Sequence, residues 1–124
     1  MKKLVLVLSL LLFPTAAHAE WISLGARTVE HSADKDTFNV SHAGLFKGLM
    51  MKVMHNDITV KKFQVIYANG EKNWVRTART IRAGGSTGYI DLPGNRRVVR
   101  RVHIWYKTKN HKGPKALIQL FGRK

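Results

Sequence analysis

The fold of this chain is constrained most by its punctuation, which divides it into short apolar-rich runs separated by turn-forming residues. Turn signals such as Asn56-Asp57, Asn69-Gly70 and Pro93-Gly94 end one run and precede the next. The runs are 21–29, 36–40, 45–55, 58–67, 74–81, 87–92, 98–106 and 116–121. Short runs punctuated in this way are typical of antiparallel sandwiches and barrels. We therefore predict an all-β fold, a single antiparallel β-sandwich of about 7–8 strands, jelly-roll-like or immunoglobulin-like.

Two local signals refine this prediction. The run 45–55 also fits a helix, because Leu45, Phe46, Leu49, Met50, Val53 and Met54 follow a helical stripe. Gly44 and Gly48 each lower helix propensity by about 1 kcal/mol, so we predict a strand here. Asn69-Gly70 lies between two strand-like runs and predicts a β-hairpin whose loop is longer than two residues.

The segments 60–67 and 99–106 match in residue class at nearly every position. Alternating apolar residues form one face in each: Phe63, Val65 and Tyr67 in the first, and Val102, Ile104 and Tyr106 in the second. Val60 and Val99 lie three residues before these series and are out of phase. A β-bulge at the paired basic residues that follow each valine would return it to the core face. The predicted core comprises Leu24, Val29, Phe38, Val40, Leu49, Met51, Val53, Val60, Phe63, Val65, Tyr67, Ile81, Ile90, Leu92, Val102, Ile104, Tyr106, Ile118 and Leu120.

The first residues have the three zones of a cleavable export signal. Lys2 and Lys3 are followed by an apolar run over 4–13, and Ala17-His18-Ala19 supplies the small-x-small cleavage pattern. The apolar run is shorter than the about 20 residues that a membrane-spanning helix needs. We predict a signal peptide over 1–19 and a single basic domain over 20–124, which is 124 minus 19, or 105 residues. The mature form, without a transmembrane segment, is expected in the periplasm or secreted.

Composition narrows the range of functions. The chain has no cysteine, which excludes disulfides, thiolate catalysis and cysteine-ligated zinc. Its formal net charge is +15, and removal of Lys2 and Lys3 would leave +13. From Arg76 onward there are thirteen Lys and Arg residues against one acid, Asp91. A surplus of this kind concerns partners and solubility, and outside the cytoplasm it fits anionic polymers.

Arginines and aromatic residues predict a polyanion-binding face. The predicted residues are Arg76, Arg79, Arg96, Arg97, Arg100, Arg101, Trp105 and Lys107. Arginine forks match phosphate and carboxylate geometry, and an exposed tryptophan gives a sugar ring or a headgroup an apolar platform. The expected partner is an anionic envelope glycan, a membrane headgroup or another polyanion, with nucleic acid less favoured. In the alternative interpretation the protein is an envelope protein–protein interaction or structural module, and the basic surface only promotes solubility.

Catalytic, metal and cofactor sites are not predicted. Asp34 and Asp36 are two residues apart, but turn formation explains them more simply than acid–base catalysis or calcium binding. The histidines show no metal-ligand spacing, and His103 is expected beside cations that disfavour its protonation. The glycine-rich stretch 84–88 lacks the lysine of a phosphate-binding loop. We therefore expect a non-enzymatic domain, with an unrecognised hydrolase as the remaining enzymatic possibility.

Several motifs also carry a family resemblance. They are Trp21-x-x-Leu24-Gly25-x-Arg27-x-Val29, Val65-x-Tyr67-x-Asn69-Gly70, Ile81-Arg82-Ala83-Gly84-Gly85, Ile90-Asp91-Leu92-Pro93-Gly94 with Arg97, and Phe121-Gly122-Arg123. Together they resemble a family of small exported bacterial proteins of unknown function. The resemblance implies an exported β-sandwich and no particular activity. Arg82, Gly84, Asp91 and Gly94 have two interpretations, as a ligand site or as a structural motif in which Arg82 pairs with Asp91 and the glycines set turns; we favour the structural one.

Overall fold

The computed structural model describes residues 21–29, 34–41, 44–108 and 112–124. The predicted signal segment, 1–19, lies outside the described residues. None of the described residues forms a helix with the length and apolarity needed to cross a bilayer.

The described residues form nine strands and no helix, which confirms the predicted all-β class. The strands are β1 (Trp21–Thr28), β2 (Lys35–Asn39), β3 (Gly48–Met54), β4 (Ile58–Tyr67), β5 (Lys72–Val75), β6 (Arg79–Ile81), β7 (Ile90–Asp91), β8 (Val99–Thr108) and β9 (Leu117–Arg123). The run that also fitted a helix is strand β3, as predicted. The single strand expected over 74–81 is wrong, because the chain leaves the extended conformation at 76–78, where Ala78 has φ 27°.

Two antiparallel sheets pack face to face. Sheet A has the order β1-β9-β3-β7, and sheet B has the order β2-β8-β4-β5, with β6 also paired to β4. The segment between β6 and β7 crosses from sheet B to sheet A and follows β3, because Gly84 N–H donates to the Val53 carbonyl and Thr87 N–H to the Met51 carbonyl. The order is therefore that of a two-layer sandwich, and the antiparallel β-sandwich prediction is confirmed.

The core between the sheets is almost the predicted one. Val40 and Ile90 were predicted in it and are only partly buried. The core also contains residues missing from the predicted set: Phe46, Ile58, Val99 and Ala116. Phe46 lies just before β3, where it exchanges two backbone hydrogen bonds with Arg97 and packs against Gly122. A side chain outside the regular strand thus fills one end of the sandwich.

Both predicted β-bulges are present. Val60 and Lys62 oppose consecutive residues of β8, so Lys61 is the extra residue of β4. Ile66 and Tyr67 oppose Arg101 and Val99, so Arg100 is the extra residue of β8. Val60 and Val99 are both buried, as the phase argument required.

The Asn69-Gly70 hairpin joins β4 to β5. Its loop is longer than two residues, because Tyr67 N–H donates to the Glu71 carbonyl across five residues, 67–71. Gly70 has φ 89°, a left-handed conformation that favours glycine. The hairpin places β5, and with it Trp74, beside β4.

Candidate functional site

The outward side of sheet B carries the candidate site, which we call the basic face. Phe38, Val65 and Ile104 are buried between the sheets, so the alternate residues of their strands point outward. The basic face comprises Lys35, Thr37 and Asn39 of β2, Arg101, His103, Trp105 and Lys107 of β8, Thr59, Lys62, Gln64 and Ile66 of β4, and Lys72 and Trp74 of β5.

Strand register gathers aromatic rings and cations at the middle of this face. Trp105 lies directly opposite Lys35 on one side and Lys62 on the other. Trp74 opposes Gln64, which is the next outward residue after Lys62 along β4. The ring centroid of Trp74 lies 5.3 Å from that of Trp105. The two indoles are tilted by 38° to each other. They therefore form one aromatic cluster that spans β8, β4 and β5.

Two ammonium groups lie over these rings. The Lys62 ammonium is 4.9 Å from the Trp74 centroid and 5.2 Å from that of Trp105, so it sits between the two indoles. The Lys35 ammonium is 5.0 Å from the Trp105 centroid. The electron-rich ring faces attract both cations, which holds the long lysine side chains in defined positions. The aromatic cluster is thus also an organised pair of positive charges.

His103 lies beside the cluster. Its Nδ1 and the Thr37 hydroxyl are 2.7 Å apart in a hydrogen bond, and its ring is 6.1 Å from that of Trp105. Partial burial lowers the pKa of His103, and the positive charges of Lys35, Arg101 and Lys72 lower it further. The expected effect of neighbouring cations is therefore present, although burial is the larger cause.

The basic face has one sign of charge. Among the residues that the structure describes, no carboxylate occupies an outward position of β2, β4, β5 or β8. Two ion pairs occur within the described ranges, Arg27–Asp36 and Arg97–Glu71, and neither uses a cation of the basic face. Its lysines and arginine are thus available to an anion in solution.

The residues predicted to bind a polyanion fall into two groups. Arg101, Trp105 and Lys107 lie on the basic face, and exposed Arg76 follows the end of β5. Arg100 is the exposed bulge residue, and Arg96 is exposed in the loop before β8. These six positions can reach an anion from solvent.

Arg97 and Arg79 are engaged in internal contacts instead. The Arg97 guanidinium stacks 3.8 Å from the Tyr67 ring centroid, pairs with Glu71 and donates to the Pro93 carbonyl. A hydrogen bond from Asn69, followed by the contact with Arg97, lowers the pKa of Glu71. The Arg79 guanidinium donates to the Thr87 carbonyl at 2.6 Å and to the Ser86 carbonyl at 3.3 Å. Both arginines therefore tie loops to the sandwich.

Of the predicted structural motif, Arg82 and Gly84 lie on the crossover from sheet B to sheet A, Asp91 lies in β7, and Gly94 lies between β7 and β8. Gly84 and Gly94 have φ of 88° and 90°, which is the left-handed region that favours glycine. In the described part of the chain, no ion pair joins Arg82 to Asp91. Arg82 follows β6 in sheet B, whereas Asp91 lies in sheet A opposite Gly48 and accepts a hydrogen bond from the Tyr89 hydroxyl. The pairing considered from the sequence fails because the two residues belong to different sheets.

Asp36 is a structural acid. Its carboxylate accepts a hydrogen bond of 2.7 Å from the hydroxyl of Tyr106, whose side chain is buried, and meets Arg27 at 3.4 Å. A buried hydroxyl needs such a partner. Within the described ranges no cluster of three His, Asp or Glu side chains could hold a metal ion.

Sequence reasoning missed the partners of Trp105. The predicted set did not include Lys35, Lys62, Gln64 or Trp74. Two of these residues could have been predicted from the resemblance between segments 60–67 and 99–106. The resemblance places Lys62 and Gln64 in the same strand phase as Arg101 and His103. No local pattern marks Lys35, whose position depends on the pairing of β2 with β8.

Comparisons with known proteins give the following. A profile of the family described as "Domain of unknown function (DUF2541)" matches residues 4–122. No curated protein matches the chain. The crystal structure of SPBc2 prophage-derived protein YomS is similar, with 12% sequence identity and a TM-score of 0.40 over 86% of this chain and 94% of that chain. A likeness at this level carries no functional argument.

Proposed function

The chain belongs to the family described as a domain of unknown function (DUF2541), and from its surface we propose a non-enzymatic domain that binds an anionic polymer outside the cytoplasm. The binding surface is the basic face. The observation that carries the proposal is the pair of contacting tryptophans, Trp74 and Trp105, surrounded by cations on a face where no described outward position is acidic.

Binding of an anionic polymer to the basic face would depend mainly on electrostatic attraction. Each anionic group that a lysine or arginine neutralises releases counterions from the polymer, so affinity falls steeply as salt rises. Arg101 adds a planar fork that matches phosphate, sulfate or carboxylate oxygens. Because Lys35 and Lys62 are already held over indole rings, less side-chain freedom is lost when they bind.

The location rests on the predicted signal over 1–19. Cleavage after Ala19 would leave a chain that starts at Glu20 and lacks the two lysines of the signal. Intact-mass measurement of protein recovered from cells should give the mass of 20–124. A full-length mass in the recovered protein would contradict the export proposal and leave the binding proposal untouched.

Two charge-reversed pairs test the binding surface. Lys35→Glu with Arg101→Glu places two negative charges on the basic face, while Lys52→Glu with Arg82→Glu makes the same change in net charge at exposed positions elsewhere. On a heparin column, the first pair should elute at much lower salt than the second. The slope of log affinity against log salt should fall by about 2 for the first pair, because each lost cation reduces it by about 1.

Equal elution of the two pairs would contradict this proposal. Retention would then depend on net charge alone, and the alternative of a protein–protein interaction or structural module with a solubilising basic surface would be favoured. Retention of the native protein that does not respond to salt would also overturn electrostatic binding.

A further inference from the structure

The two tryptophans of the basic face differ in exposure. Trp74 is 47% exposed, whereas Trp105 is only partly exposed between its cross-strand neighbours. Trp105 lies beneath the Lys35 and Lys62 ammonium groups and against the Trp74 ring. Trp105 therefore supports the cluster, and Trp74 offers the open ring surface.

The groups beside Trp74 indicate what would lie on that surface. Gln64 is its cross-strand partner, and an amide both donates and accepts hydrogen bonds. In the part of the chain that the structure describes, the Gln64 side chain makes no hydrogen bond to another residue. A ligand with several hydroxyl groups matches the Gln64 amide, because each hydroxyl also donates and accepts hydrogen bonds.

The Lys62 ammonium indicates that the ligand also carries negative charge. At 4.9 Å from the Trp74 centroid it places a positive charge next to the open ring. A ligand that stacks on the Trp74 ring and pairs with the Lys62 ammonium must carry a flat apolar surface and an anionic substituent close together. Sugar rings with carboxylate or sulfate groups have this combination, whereas a simple chain of phosphates has the charge without the ring.

Resting on the proposed function, we infer that the polymer is an acidic polysaccharide, with one sugar ring stacked on Trp74 and its anionic substituent bound by Lys62. Single-stranded nucleic acid also combines rings with charge, but its binding surfaces offer several aromatic platforms to successive bases. On the basic face Trp74 is the described indole with an open ring, and the outward residues next along β4 and β5 are Ile66 and Lys72.

The test compares polymers that share charge and differ in rings. Heparin, inorganic polyphosphate of similar charge and oligo(dT) are titrated into the full mature chain and into Trp74→Ala. The variant should bind heparin about tenfold more weakly, which is the loss expected for one stacking contact. Its affinity for polyphosphate should fall much less, because Lys62 keeps the Trp105 ring beneath it. Trp74→Phe, which keeps a ring, should restore most of the heparin affinity.

Trp21→Ala, on the other sheet, is the control and should leave all three affinities unchanged. Equal binding of heparin by native protein and Trp74→Ala would overturn the inference and leave charge-driven binding intact. Tighter binding of oligo(dT) than of heparin, with the larger loss in Trp74→Ala, would identify nucleic acid instead. No binding of heparin or polyphosphate at low salt would mean that the proposed function itself fails.

Discussion

The outward sides of the two sheets are built by the same alternation and have opposite chemistry. Sheet A presents what we call the apolar face, whose large apolar residues are Trp21, Met50, Met54, Leu117 and Phe121. Its other outward residues are Ser23, Ala26, Thr28, Lys52, Gln119 and Arg123. Its cations are also held over rings, since Lys52 lies 5.6 Å from the Phe121 centroid and Arg123 lies 5.1 Å from that of Tyr89. The basic face has a cation or a polar group at nearly every outward position. Strand alternation thus sets which residues point outward, and the choice of side chains sets what each face can contact.

The two faces also differ in how many positive charges they carry. The apolar face carries two cations, Lys52 and Arg123, and the basic face carries five: Lys35, Lys62, Lys72, Arg101 and Lys107. On the basic face Lys35 and Lys62 lie over aromatic rings and Arg101 shares their side of the sheet, whereas the apolar face places Asp91 close to its edge beside Tyr89. The proposed binding role of the basic face predicts that the two faces act independently, and the following substitutions test this.

The largest effect is expected from removing the central aromatic residue of each face. Trp105→Ala and Phe121→Ala should each lower the free energy of unfolding by about 2 kcal/mol, since both rings are partly buried and full core truncations cost about 3–5 kcal/mol. Trp105→Ala should also weaken heparin retention, because Lys35 and Lys62 lose the ring beneath them. Urea unfolding and salt elution measure the two effects. Loss of retention in Phe121→Ala would show that the faces are coupled.

A smaller loss is expected from the acid that supports sheet B from inside. Asp36→Ala leaves the buried Tyr106 hydroxyl without the carboxylate acceptor and should lower the free energy of unfolding by about 1.5 kcal/mol. Asp36→Asn keeps an acceptor oxygen and should lose less. Urea unfolding of the two variants separates the hydrogen bond from the charge. Equal stability of Asp36→Ala and the native protein would contradict a structural role.

On the apolar face, Gly48 allows Tyr89 to lie over β3. A Cβ at this position would meet the Tyr89 ring and approach the Ile90 carbonyl oxygen to 2.7 Å. Gly48→Ala should therefore lower the free energy of unfolding by about 1 kcal/mol through overpacking, with heparin retention unchanged. Lys52→Ala, an exposed position on the same strand, serves as the control and should stay within about 0.5 kcal/mol of the native protein. Thermal unfolding and salt elution give both values.

The smallest effect is a pH dependence confined to the basic face. Because the pKa of His103 in the folded state lies below its ordinary value of 6.5, the unfolded state binds more protons there. The stability associated with neutral His103 is present above pH 6.5 and is lost as the pH falls through the lower folded-state pKa. His103→Gln should reduce this loss, which urea unfolding at about pH 7.5 and about pH 5.5 can detect.

Protonation of His103, which lowers stability, should strengthen ligand binding. His103 is faced by Thr37 and Lys35 from β2, Gln64 from β4 and Lys72 from β5, with Arg101 on its own strand. Protonation adds a further positive charge to this set, so heparin retention of the native protein should rise in acid. A retention that rises equally in His103→Gln would assign the effect to another group.

The strands and their inward residues could be predicted because they depend on local alternation. Val60 and Val99 show how far this reaches: each was out of phase in the sequence, and the bulge predicted from that mismatch places both in the core. The break at 76–78 could not be predicted, because every residue from 74 to 81 is compatible with a strand and the interruption reflects pairing with two separate parts of β4.

The candidate site could be predicted only along a single strand. Arg101, Trp105 and Lys107 share one phase of β8, so their common face follows from the sequence. Lys35 and Lys62 join Trp105 through the pairing of β2 and β4 with β8, which spans long stretches of sequence and leaves no local mark. Arg97 was predicted as a ligand residue, but its position over Tyr67 and beside Glu71 depends on loop geometry that a charge pattern does not reveal.

The register that places Trp105 between Lys35 and Lys62 has a thermodynamic consequence. Strands β2, β4 and β8 come from distant parts of the chain and meet only in the native state, so an unfolded chain or a proteolytic fragment would lack the cluster. A polymer that binds the cluster more tightly than it binds the unfolded chain stabilises the folded form, so the melting temperature should rise with the logarithm of polymer concentration above the Kd. Thermal shift in a panel of unlabelled polymers could therefore rank candidate ligands before any of them is identified.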